Sequence, residues 1–117
     1  MRLALYGFLL CVCIAPLLSA QDAAKVDPKH YTVLSENDQV RILKVHYGPH
    51  EKSVMHSHPA GVVVYLTDAM NQFTYPDGKK EIRSGKAGDA LYTPATVHLP
   101  ENISDKGIDV IVVELKK

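Results

Sequence analysis

Met55-His56-Ser57-His58-Pro59-Ala60-Gly61-Val62-Val63-Val64-Tyr65 is the stretch on which the fold is decided. On a strand, successive side chains point to opposite faces, so His56 and His58 share one face and Ser57 takes the other. Helical neighbours two residues apart do not face the same way. Pro59 cannot donate to a ladder and stops the strand. The following residues 62–67 form a continuous apolar, β-branched run, fit for a strand buried on both faces. Outward from this stretch the pattern repeats. Residues 40–47 are rich in β-branched side chains and end at Gly48-Pro49. Residues 72–75, the turn Pro76-Asp77-Gly78 and residues 79–83 read as a hairpin with explicit turn chemistry. Gly85 and Gly88 precede a strand at 90–93, and residues 108–115 close the chain as another. No stretch after residue 20 has a helical period. Many short strands separated by turns predict an all-β sandwich or barrel.

The first twenty residues read differently. Arg2 supplies one positive charge, the run from Leu3 to Leu18 is almost wholly apolar, and Leu18-Ser19-Ala20 ends in small residues. That is the layout of a secretory leader. A membrane span needs about 20 apolar residues, so this run is short for one. The expectation is export, to the periplasm or the extracellular space. Both cysteines, Cys11 and Cys13, lie in the leader, so the processed chain has no thiol and no disulfide. About 97 residues then remain, enough for one domain and not two. With Arg2 removed, twelve basic residues stand against thirteen acidic ones. A near-neutral surface gives no electrostatic footprint for nucleic acid or for an anionic membrane. The organisation read from the sequence is a leader at 1–20, a polar arm at 21–30 and one β domain at 31–117.

A third histidine gives the His-x-His pair its interest. His98 follows about forty residues after His58, in Gly88-Asp89-Ala90-Leu91-Tyr92-Thr93-Pro94-Ala95-Thr96-Val97-His98. Pro94 and Pro100 stiffen its segment, so an imidazole there is positioned in advance. Neutral imidazole is a common ligand of divalent metals. Without His98, the pair would read as polar residues at a strand end.

These two stretches resemble the motifs of the cupin superfamily, whose fold is a small β jelly roll. Met55-His56-Ser57-His58-Pro59, followed by the apolar run, is similar to the first motif. Gly88, Pro94, His98 and Asn102 keep the outer spacings of the second. The likeness covers about residues 30 to 115. It implies a single-domain jelly-roll β-barrel, a homodimer, and His56, His58 and His98 as ligands of a divalent metal. Iron, zinc, manganese, nickel and copper all suit imidazole. The metal-binding glutamate of the first motif should fall near Val62 and is absent. The closing glycine falls near Ala69, and the segment from Pro94 to His98 is one residue short.

Three imidazoles would leave about three positions open on an octahedral ion, or one on a tetrahedral ion. A dipositive centre without an anionic ligand favours an anionic or chelating small molecule. Glu101 and Glu51 are poor substitutes for the missing carboxylate, the first by strand alternation and the second by distance. His46 and His50 read as surface or packing residues and His30 as solvated. Phe73 reads as core, and Tyr65 and Tyr92 as either core or cavity lining. Two functions follow as expectations: a metal-dependent oxygenase or isomerase acting on a small organic molecule, or a non-catalytic module binding metal or a small ligand. No catalytic base is evident in the sequence.

Overall fold

The computed structural model describes residues 21–117. The expected leader at 1–20, with both cysteines, lies outside the described residues. The elements are α1 (Ala23–Val26), β1 (Tyr31–Glu36), β2 (Val40–Tyr47), β3 (His56–His58), β4 (Gly61–Tyr65), β5 (Ala69–Thr74), β6 (Lys80–Gly85), β7 (Ala90–Thr93), β8 (Thr96–Asn102) and β9 (Ile108–Leu115). They form a five-stranded sheet, ordered β1-β2-β9-β4-β7, and a four-stranded sheet, ordered β3-β8-β5-β6. All strand pairs are antiparallel. The expected all-β jelly roll is therefore present as two sheets, neither closed into a barrel.

The two inner walls differ in chemistry. Alternate residues of the larger sheet, Tyr31, Leu43, Val45, Tyr47, Tyr65, Ile108 and Val110, form most of the buried apolar core. The facing residues of the smaller sheet are largely polar. Its register pairs His56 with His98, Asn71 with Asn102 and Arg83 with Asn71. A cavity of about 330 Å³ lies between the walls. An apolar wall supplies the hydrophobic term that holds the domain together. The polar wall is free to carry chemistry.

One glycine lets the larger sheet close tightly. A Cβ on Gly61 would lie 2.2 Å from the carbonyl oxygen of Val113. Val113 is held in register by both β2 and β4 and cannot retreat. Gly61→Ala is expected to cost about 2–3 kcal/mol, seen as a melting temperature lowered by about 10–20 °C.

The polar arm at 21–30 packs onto the domain. Asp22 caps α1, its backbone bridges to Ser57, and Ala23 is fully buried. His30, expected in solvent, is only 6% exposed. Its Nδ1 lies 2.7 Å from Asp27 Oδ2, and its ring stacks on Tyr47 at 4.4 Å. The segment's polar composition suggested solvation, but its polar side chains are buried in pairs. β1 also escaped notice in the sequence. The run at 62–67 is half-buried rather than buried on both faces, and Leu66 lies outside β4 at 50% exposure.

Candidate metal centre

β3 and β8 bring the three histidines together. His56 is the register partner of His98, and His58 lies two residues along on the same face. The ring centroids are 4.8 Å apart for His56 and His58, 5.0 Å for His56 and His98, and 5.3 Å for His58 and His98. One nitrogen from each ring lies within 4.8 Å of the others. Donors so spaced sit within about 3 Å of a common centre, against about 2.1 Å for a metal–imidazole bond. Small ring movements close that gap.

Hydrogen bonds behind the rings set their tautomers. His56 Nδ1 lies 2.8 Å from the carbonyl oxygen of Val54. A carbonyl only accepts, so Nδ1 carries the proton and Nε2 keeps its lone pair. His58 Nδ1 lies 2.8 Å from Glu114 Oε2, which holds that ring in the same sense. His98 Nε2 is buried with no hydrogen-bond partner among the described residues. An orphaned imidazole nitrogen beside two oriented lone pairs is what a metal would satisfy, so the donor set fits a divalent ion.

Burial keeps two of the three rings, those of His56 and His98, neutral. Burial, then the neighbouring His58, pushes His56 down to about 4. Burial, then His58, His56 and Arg83, pushes His98 down to about 3. Both rings are therefore ready as ligands at neutral pH without losing a proton. In the unfolded chain the same rings take protons near 6.5. Below that pH the unfolded state binds protons that the folded state refuses, so stability falls with pH. In metal-free protein the loss is expected to develop between about pH 6.5 and 4 and to reach several kcal/mol. Urea midpoints at pH 7, 5.5 and 4 measure it.

Two residues missed in the sequence complete the site. Glu114, 2% exposed, bonds His58 on one side and Arg41 on the other, at 2.7 Å from Arg41 Nε. Arg41 in turn pairs with Asp22. Glu114 was legible: it continues the inward series Ile108, Val110, Val112 along β9, where an acid is out of place. The missing first-motif carboxylate thus has a counterpart behind His58, on β9. Tyr31 is the second. Its hydroxyl lies 3.2 Å from His56 Nε2 and 2.6 Å from the hydroxyl of Tyr47. Burial holds the Tyr31 hydroxyl well above its ordinary range, so it stays a protonated donor.

The remaining expectations divide. Val62 is not the inward position of β4: Val63 and Tyr65 line the cavity, and Val62 is paired with Tyr92, which is 63% exposed. The register inferred for the absent glutamate is corrected by one residue. Phe73 lines the cavity and stacks on His98 at 4.9 Å, so it is cavity wall rather than core. Tyr65 also lines the cavity, whereas Tyr92 does not. Glu51 bonds Lys29 and the Gly48 amide, far from acting as a ligand. Glu101 pairs in register with Gln72 and bridges to Lys52. His46 and His50 are exposed and bond Asp109 and Asp105. Asn102 is fully buried, tying Gly48 and Lys106 carbonyls to the Ser104 turn.

No protein-family model matches the chain, and no curated protein matches it significantly. Solved structures do. A cupin domain from Bordetella pertussis Tohama I is 25% identical, with a TM-score of 0.69 over 74% of this chain and 92% of that one. An RmlC-like cupin with a double-stranded β-helix fold, from Methanocaldococcus jannaschii, is 19% identical, with a TM-score of 0.59 over 74% and 78%. The polyketide cyclase RemF from Streptomyces resistomycificus is 18% identical, with a TM-score of 0.55 over 74% and 64%. With two facing antiparallel sheets of this topology and these structural likenesses, the chain has the double-stranded β-helix fold of the cupin superfamily.

Proposed function

We propose that the chain is an exported protein that holds one divalent metal through His56, His58 and His98 and acts on a small organic molecule as an oxygenase or isomerase. The observation that carries this reading is the buried, unpartnered Nε2 of His98 beside two imidazoles already turned by Val54 and Glu114. A metal bound there would supply Lewis-acid or redox chemistry with positions left open for a ligand. The protein's own residues do the rest. Glu114, anchored by Arg41, fixes His58. The Tyr31 hydroxyl donates toward His56 Nε2; with that lone pair taken, it is freed to donate to a ligand atom. The apolar wall of Val63, Val110 and Val112 keeps water from an organic frame.

A second reading, a non-catalytic binding module, is favoured by one observation. Among the described residues, none that lines the cavity is an aspartate or glutamate that could face a bound molecule as a base. Oxygen uptake by metal-loaded protein on catechols, diketones and thiols, together with product analysis for isomerised substrate, separates the two. Turnover that disappears in His56→Ala, with the melt of the metal-free protein unchanged, supports the enzyme. Stoichiometric metal without turnover on any of them supports the binding module.

A further inference from the structure

The inward side chains of the four-stranded sheet form a row that runs away from the histidines. In the strand order β3-β8-β5-β6, His56 faces His98, Pro100 pairs with Phe73, and Asn71 pairs with Arg83. Strands lie about 4.8 Å apart, so β6 stands about 10 Å from β8. Phe73 bridges the interval. Its ring stacks on His98 at 4.9 Å, and the guanidinium carbon of Arg83 lies 5.8 Å from the ring centroid. The cavity therefore has two poles with an aromatic floor between them.

The far pole is built for negative charge. Arg83 lines the cavity, but its partner Glu81 does not. Nε and Nη2 of Arg83 bond Glu81, at 2.9 and 3.3 Å, which leaves Nη1 for another acceptor. Beside it, Asn71 Oδ1 is buried with no hydrogen-bond partner among the described residues. Among the described residues no side-chain hydrogen bond holds the Asn71 amide, so it can turn and present Nδ2–H to the same acceptor. As placed, that oxygen would repel a carboxylate; only the turned amide donates to one.

We propose that this cavity takes a small organic anion that spans it, with a chelating head at the three histidines and a carboxylate held by Arg83 and Asn71. The proposal rests on the metal-centre reading for the head and stands independently for the carboxylate. The two poles set the size: a single ring, or an equivalent short chain, separates the two groups. Phe73 gives the frame an apolar wall between the two poles.

The test compares ligands with the same head. Zinc-loaded protein is titrated calorimetrically with 3,4-dihydroxybenzoate and with catechol, in wild type and in Arg83→Gln. The expected result is that 3,4-dihydroxybenzoate binds about tenfold more tightly or better, as a charge-assisted hydrogen bond at a half-exposed site provides. Arg83→Gln should erase that preference, lowering 3,4-dihydroxybenzoate affinity by about tenfold and catechol affinity by much less. Equal binding of the two ligands in wild type overturns the proposal. If the protein takes up no zinc, benzoate is titrated into the metal-free form. Benzoate binding lost in Arg83→Gln then supports the anion subsite while the metal reading fails. Benzoate binding unaffected by Arg83→Gln, or absent, overturns both.

Discussion

His98→Ala is expected to abolish stoichiometric metal binding while leaving the metal-free domain folded with nearly unchanged stability at pH 7. The reasoning separates ligand loss from packing loss. In the metal-free protein the His98 imidazole contributes its stack on Phe73 but leaves Nε2 buried without a partner. Removing it forfeits contacts and also removes an unsatisfied buried polar atom that costs about 1–3 kcal/mol. The two effects oppose each other, so the melting temperature should move by only a few degrees, whereas two imidazoles alone hold a divalent ion poorly. Metal analysis by mass spectrometry and a thermal melt of the same sample measure both. The same substitution should flatten the acid sensitivity of the metal-free protein, because one of the two rings that refuse protons is gone.

Val63→Glu is expected to tighten metal binding by about tenfold or more, and Val62→Glu to leave it unchanged. Val63 lines the cavity with His58 and His98, whereas Val62 turns to the opposite face with Tyr92. A carboxylate facing a dipositive centre raises affinity through its charge, as ligand charge does in other metal sites. The cost appears in the metal-free form, where the new acid is partly buried without a counter-ion. Val63→Glu should therefore melt lower than wild type without metal and gain more on metal addition. Val62→Glu should melt close to wild type in both states. Competition against a chromogenic chelator gives the affinities.

The fold was legible because its determinants are local and periodic. The hairpin at Pro76-Asp77-Gly78 shows in its turn residues, and Gly78 indeed takes a positive φ of 86°. The edge strand β7 and the last strand β9 show in their apolar runs. The three histidines were legible because alternation puts His56 and His58 on one face and two prolines hold His98 extended. What stayed hidden depends on pairing across long sequence distances. His30 looks solvated until Tyr47 stacks on it and Asp27, bonded by Ser53, pairs with its ring. Tyr31 becomes a site residue only when β1 runs beside β2 and reaches His56. Glu114 differs: its place on the inward face of β9 follows from alternation, but its partner His58 lies more than fifty residues away. The single-residue error at Val62 has the same origin, since one step along a strand exchanges cavity for exterior.

The central claim is that three imidazoles from β3 and β8 hold one metal ion. Its most direct measurement is a zinc titration of the metal-free wild-type protein, followed by retained metal per chain after desalting and by melting temperature. The expected result is one equivalent retained and a melting temperature that rises with free zinc, as binding to the folded state alone requires, with both effects absent in His56→Ala. No retained metal and an unmoved melt, with zinc, iron, manganese, nickel and copper alike, would contradict it.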